Sequence, residues 1–409
     1  MSYRALIVAG AAAAALAGGA AAFAQAGKDG TAVYWMTAET GSGMAAAMGG
    51  GDPQAMAAAM MGDRGGQAAF AHTLNLQLGT GRRAPGEPSA EHVPPAGLKA
   101  GASLPLVTPK AAAASGPATP WNGQIEKPKG RMLIYWGCGD KARAGQPVVV
   151  DFASLMSGKA PAGFTGASFK AMVPPSAGNH ATYGEWPNQR SQTRVPPTGS
   201  LVGEHVVRGN YTPEIRFTLG QGQDFLAPVQ LTAQSAAASG AVPLAWRAVP
   251  GAKAWFATTM GAAENGDFIM WSSSEVQMPG MGIDHLEEGE LNRLVQQKVL
   301  MPASASSCTV PAEVARAAPQ SMLSLTALGG QANFSHPARP AQAPASWRPE
   351  WTVKLRTKST HMGMLGMDMA DLMSGRDADD ADEAAEARPA RKPKKKDLLK
   401  KGLGGLLGN

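Results

Sequence analysis

The chain is short of the residues that build an ordinary hydrophobic core. Leu, Ile, Val and Phe make up about a sixth of its 409 residues, under the roughly 20% expected of a self-sufficient globular chain. The hydrophobic share of 44% is therefore largely Ala, with 21 Met added. Only two cysteines are present, which excludes a cysteine-dense scaffold or a four-thiolate metal domain. After residue 26 no stretch of about 18 apolar residues occurs, so no later segment is expected to cross a membrane as a helix. G-x-S-x-G, S-x-x-K, H-E-x-x-H, P-loop and dinucleotide signatures are all missing, which argues against the commonest hydrolases and nucleotide enzymes. The net charge of +6 is too small to unfold the chain by repulsion. Fifty Gly and 31 Pro predict small folded regions joined by long loops.

Residues 1–26 carry one base, Arg4, and then a neutral Ala-rich run ending in small residues suited to cleavage after Ala24 or Ala26. That pattern reads as a signal peptide, and it places the protein in an exported compartment: periplasmic, associated with the outer envelope, or secreted. In an oxidising space Cys138 and Cys308 are expected to pair. Neither a C-x-x-C spacing nor a neighbouring His favours a reactive thiol or a thiolate metal site instead.

The fold class expected is mainly β: an antiparallel β-sandwich core with a small helical insertion, long Pro/Gly loops and a disordered C-terminal tail. Residues 27–130 give N-terminal strands, Ala32–Met36 and Phe70–Leu78, within Met-, Gly- and Pro-rich loops, and 79–130 reads as mostly linker. Residues 131–275 form the sandwich region. It holds candidate strands at Arg131–Trp136, Pro147–Phe152, Pro213–Leu219, Pro228–Thr232, Val242–Val249, Ala254–Met260 and Asp267–Ser272, each bounded by Gly or Pro. Between Leu244 and Trp271, the residues Trp246, Val249, Gly251, Ala252 and Trp255 describe a Trp strand that turns a Pro-Gly-Ala corner into an aromatic strand. This stretch resembles the neighbouring-strand portion of a fibronectin type III-like module, and the resemblance implies a sandwich that binds or spaces rather than catalyses.

Residues 276–330 read as a helical segment. Asp284 and Glu287 have capping-box spacing before Leu291, Leu294, Val295 and Val299, and a second short helix is expected over Val310–Ala318. Residues 331–360 are a linker and one strand, Trp351–Lys358. Its basic residues Lys354, Arg356 and Lys358 alternate with apolar ones and are expected to face solvent. Residues 361–409 are a Met-rich, charged tail whose acidic and basic blocks nearly cancel. The near-cancellation argues against nucleic acid as a partner. The Leu- and Lys-bearing end has the composition for contact with an envelope or membrane surface.

Three chemistries are open. The densest polar and aromatic stretch is residues 176–194, where Asn179, His180, Tyr183, Glu185, Trp186, Asn188 and Arg190 make a candidate binding loop. Methionine clusters with His in MPGMGIDH, at Met278, Met281 and His285, and in HMGMLGMDM, at His361, Met362, Met364, Met367 and Met369. Both stretches resemble the Met/His-rich motifs of periplasmic copper-handling proteins, and thioethers are soft ligands that select Cu(I) or Ag(I). Packed apolar filler is the alternative use of such Met. The seven histidines are scattered and expected at surfaces and turns, although a triad of Ser273, His205 and Asp267 would serve an unrecognised hydrolase. The reading is an exported envelope protein with a non-enzymatic binding or scaffold role and no cofactor. Copper binding is the alternative, and a hydrolase the third.

Overall fold

The computed structural model describes residues 30–50, 70–109, 130–151, 169–191, 193–278, 283–344 and 346–367, all within one compact unit. The expected signal peptide and nearly all of the charged tail lie outside the described residues. The protein is mainly β, with antiparallel sheets and few helices. The first strands are β1 (Ala32–Gly43), β2 (Phe70–Thr80), β3 (Ala90–Val93), β4 (Leu104–Leu106), β5 (Arg131–Trp136) and β6 (Val148–Asp151). Next come β7 (Thr182–Trp186), β8 (Gly203–Gly209), β9 (Ile215–Leu219), β10 (Leu231–Ala233), β11 (Val242–Trp246) and β12 (Ala252–Ala262). The last are β13 (Phe268–Ser272), β14 (Met301–Pro302), β15 (Ser307–Val310), β16 (Met322–His336) and β17 (Trp351–Met364). Among the described residues the α-helices are α1 (Met44–Gly50), α2 (Glu288–Gln296) and α3 (Ala312–Ala317), with short 3-10 turns at Ala96–Leu98 and Ile283–His285.

One large sheet runs β6-β5-β13-β12-β16-β17-β1-β2-β7, with β14 beside β12. Two small sheets, β4-β3-β8-β9 and β10-β11-β15, complete the fold. Alternation decides which face of the large sheet each residue takes. Tyr34, Met36, Leu74, Leu76, Leu78, Val353 and Leu355 pack on Leu104, Val207, Ile215 and Phe217 of the four-stranded sheet. Trp255, Ala257, Ile269, Trp271, Leu323 and Leu325 pack on Val242, Leu244, Trp246 and Val310 of the three-stranded sheet. Both small sheets thus cover the same face, giving a sandwich. The opposite face is partly covered by α2, whose Leu291 and Leu294 join Ile283 and Leu286 against Ala254, Phe256 and Leu328.

The strands expected from alternation are present, but the grouping of segments is not the expected one. The large sheet takes strands from both ends of the described chain, because β1 pairs in parallel with β17 over their length. Residues 131–275 are therefore not a self-contained sandwich. Among its described residues the segment 276–330 is helical in α2, in α3 and in a short 3-10 turn at Ile283–His285, and it ends in β16, at the centre of the large sheet. The supposed linker 79–130 contributes β3 and β4. A bulge at Gly329 and Gly330 interrupts β16 between Leu328 and Gln331. A Cβ on Gly329 would lie 2.1 Å from the Thr357 hydroxyl oxygen, so the close approach of β17 demands glycine there.

The corner at Pro250–Gly251 is present, with Gly251 at φ +85°. It passes the chain from the three-stranded to the large sheet, and Trp246 and Trp255 meet across the layers with ring centroids 5.3 Å apart. The capping box does not form. The helix starts later than that spacing requires: Asp284 lies in the 3-10 turn Ile283–His285 and pairs with Lys358 at 2.9 Å, and Glu287 takes the N-cap position of α2 without a side-chain cap bond. The second helix starts at Ala312, since Val310 is held in β15. Cys138, just after β5, and Cys308, on β15, lie at disulfide distance with Cα atoms 5.3 Å apart. Among the described residues no helix is long and apolar enough to cross a membrane.

Candidate functional site

The expectation that the basic face of the last strand is solvated fails, because β17 is an inner strand, flanked by β16 and β1. Lys354, Arg356 and Lys358 point to the face opposite the sandwich core, and Lys354 is only 1% exposed. Register builds polar rows across β17, β1, β2 and β7. Lys358 stands opposite Glu39, and Glu39 opposite Thr73. Arg356 stands opposite Thr37, and Thr37 opposite Asn75. Lys354 stands opposite Trp35, which continues to Gln77 and then Glu185. Strand pairing thus assembles one polar floor from residues far apart in sequence.

The short 3-10 turn Ile283–His285 forms the wall of this floor. It is fixed by the Lys358 ammonium, which bridges Asp284 at 2.9 Å and Glu39 at 3.2 Å. Arg356 Nη1 donates to His285 Nδ1 at 2.6 Å, and the backbone N–H of Met172 donates to the His285 carbonyl at 2.7 Å. Between floor and wall opens a cleft of about 390 Å³ lined by Thr37, Glu39, Asn75, Gln77, Glu185, Asp284, His285 and Lys358, with Pro174 and Pro187 at its rim. That volume falls in the range of small-molecule sites.

The electrostatics follow from burial and pairing. Burial and the adjacent Arg356 guanidinium lower the His285 pKa, so the imidazole is neutral and accepts at Nδ1. Burial opposes the charges of Asp284 and Lys358, but the surrounding opposite charges together outweigh it: Lys358, helped by His285 and Arg356, holds the Asp284 carboxyl below its usual value, and Glu39 and Asp284 hold the Lys358 ammonium above its own. Arg356 is pushed down to about 10 by burial. Lys354 is pushed down to about 8 by burial, with its Nζ 5.7 Å from the Trp35 ring centroid. The cleft surface itself carries three carboxylates, Glu39, Glu185 and Asp284, against the single Lys358 ammonium. It is rich in hydrogen-bond acceptors, with the Arg356 guanidinium directly behind His285.

Of the residues expected from the 176–194 stretch, only part reaches this cleft. Glu185 lines it and accepts from the buried Tyr183 hydroxyl at 2.7 Å. Gln77 donates to the same hydroxyl at 3.2 Å. Burial raises the Tyr183 pKa and keeps its proton in place. Trp186 borders the cleft, but it is 3% exposed and belongs to the sandwich core. Asn179 closes a turn, accepting from Ser176 N–H at 2.7 Å and donating to the Pro174 carbonyl at 2.9 Å, with His180 Nδ1 beside its Oδ1. Asn188 donates to the Pro105 and Glu185 carbonyls and accepts from the Arg190 N–H. The stretch is thus an edge strand, β7, between turns closed by Asn179 and Asn188, and of the seven residues only Glu185 and Trp186 reach the cleft.

The two Met/His motifs are likewise taken apart. Met278 is buried in the core beneath α2, His285 serves the cleft wall, and Met281 lies outside the described residues. HMGM is the end of β17 rather than a flexible loop, so His361 and the pair Met362 and Met364 point to opposite faces. His361 Nδ1 lies 3.1 Å from the Ser42 hydroxyl. Met367 sits in the following turn and Met369 lies outside the described residues. Among the described residues no three His, Cys, Asp or Glu side chains cluster as a metal site. The Ser273, His205 and Asp267 triad does not assemble. Ser273 accepts from the Ala257 N–H, Asp267 is tied to Arg131, and His205 lies in the other core.

His92 and His205 are not at the surface but completely buried. His205 Nε2 faces the Leu201 carbonyl at 2.7 Å, so that nitrogen carries the proton. His92 Nε2–H then donates to His205 Nδ1 at 3.0 Å, and the Tyr34 hydroxyl donates to His92 Nδ1. This chain is satisfied only with both imidazoles neutral, and burial lowers both pKa values accordingly. It is a core device, remote from the cleft. No family model, no curated protein and no solved structure matches the chain.

Proposed function

We propose that the chain is an exported, non-enzymatic binding protein whose cleft takes a small, hydroxyl-rich ligand bearing a positive charge, of the amino-sugar class. The observation that carries this reading is the cleft of about 390 Å³ with Glu39, Glu185 and Asp284 against one ammonium. Carboxylates accept from hydroxyl and ammonium donors with charge-assisted strength, and Asn75 and Gln77 add amide groups at the same surface. A rigid sheet floor fixes these groups in advance, which lowers the entropic cost of binding. The Ala-rich opening of the chain and the close approach of Cys138 and Cys308 support export.

Calorimetric titration with a short amino-sugar oligomer and its N-acetylated counterpart tests the reading. Saturable binding of the free amine, weaker binding of the N-acetylated form and a loss of about tenfold on Glu185→Gln are expected. Recovery of the oligomer intact separates binding from hydrolysis. Equal indifference to both oligomers would remove the cleft as a ligand site and leave a scaffold role.

A further inference from the structure

The face that holds the cleft carries a second feature, toward the C-terminal end of β17. Met364 stands opposite Met322, Met322 opposite Met260, and Met260 opposite Met270. Four methionines from the adjacent strands β17, β16, β12 and β13 therefore lie in one row. Directly opposed residues of antiparallel strands have Cβ atoms about 4.5–5.5 Å apart, within the reach of neighbouring thioethers. The row points away from the sandwich core, because the alternating residues Leu323, Ala257, Ile269 and Trp271 fill that core. All four methionines are half-buried. The adjoining row is Met362, Ser324, Thr258 and Ser272, so Met362 lies beside Met364 on the same face and neither row contains a carboxylate or an imidazole.

A hard divalent cation finds no charged oxygen in these rows, whereas a soft monovalent one finds several thioethers that need no deprotonation. We propose that Met260, Met322 and Met364 form a thioether site for Cu(I) or Ag(I), with Met322 central and Met270 and Met362 flanking. Its location follows from strand register, not from the His361–Met369 sequence cluster, of which it uses only Met364 as a principal ligand. Nothing in it depends on the cleft.

The test is anaerobic competition for Cu(I) between the full chain and a chromophoric Cu(I) chelator. Leu nearly matches Met in volume, so Met→Leu variants keep the packing. The wild type is expected to withdraw a single Cu(I), with sulfur-only coordination by X-ray absorption. Met322→Leu should weaken binding by about tenfold or more. The triple variant Met260→Leu/Met322→Leu/Met364→Leu should abolish it, and Met367→Leu/Met369→Leu should leave it unchanged. Thermal unfolding verifies the fold of each variant, and if the triple variant fails to fold, Met322→Leu alone decides. A wild type that takes no Cu(I) from the chelator overturns the proposal. So does a folded Met322→Leu variant of wild-type affinity, or a loss confined to Met367→Leu/Met369→Leu.

Discussion

Lys354 offers the sharpest check on how the polar face is built. Its side chain is 1% exposed on an inner strand, and burial lowers its pKa from 10.5 to about 8. At about 1.4 kcal/mol for each pH unit, the folded state bears a penalty of about 3 kcal/mol at pH 7 for keeping the ammonium charged. The Trp35 ring, 5.7 Å from Nζ, returns up to about 2 kcal/mol. Lys354→Met keeps the length of the side chain and removes the charge, so it should stabilise the protein at pH 7 by about 1–3 kcal/mol. The pH dependence has a definite sign. Above pH 8 the folded state has released this proton while the unfolded chain still holds it, so wild-type stability rises with pH up to about 10.5 and the advantage of the variant shrinks. Guanidinium unfolding of both proteins at neutral and alkaline pH reads this difference directly. A variant less stable than wild type at pH 7, or a difference that does not change with pH, would refute the argument that burial dominates at this site.

Two further perturbations address the sandwich core. The Cys138–Cys308 link spans 170 residues, which corresponds to about 5 kcal/mol in the chain-entropy model. Thiol titration of the oxidised protein should find no free thiol, and Cys308→Ala should lower the unfolding free energy by several kcal/mol. Tyr34→Phe strips the donor from His92 Nδ1 in a fully buried site and should cost about 1–3 kcal/mol, measured by denaturant unfolding. Because the His92 and His205 pKa values are lowered in the folded state, stability should hold above pH 6.5 and fall below it. The slope should reach about 1.4 kcal/mol per pH unit for each imidazole. Equilibrium unfolding between pH 7 and pH 5 checks this, and a flat profile would mean that the imidazoles are charged or exposed.

Local patterns in the sequence were enough to mark the β class and most of the strands. Leu74, Leu76 and Leu78 alternate with polar residues, and so do Ile215, Phe217 and Leu219, because a strand with one buried face repeats every second residue. The same rule marked Trp351, Val353 and Leu355 as a core row. It could not say what lay across the other face, since alternation records that two faces differ and not what each one meets. A basic row therefore read as solvated, whereas the parallel pairing of β17 with β1 places it over a polar floor shared with Glu39 and Thr37. Partner choice between strands some 300 residues apart depends on long-range packing and leaves no local trace. That is also why Glu185 was found within the binding stretch while Glu39, Asn75 and Asp284 were missed.

Composition by itself determined that soft thioethers would be abundant and that two cysteines were available for one link. Tertiary structure alone decided which methionines stand side by side. Met260, Met270, Met322 and Met364 are unremarkable as neighbours in the sequence and become a row only when four strands settle into register. The cleft has the same origin. Each of its side chains is placed by a hydrogen-bonded ladder whose pairing is fixed by hydrophobic burial on the opposite face of the sheet.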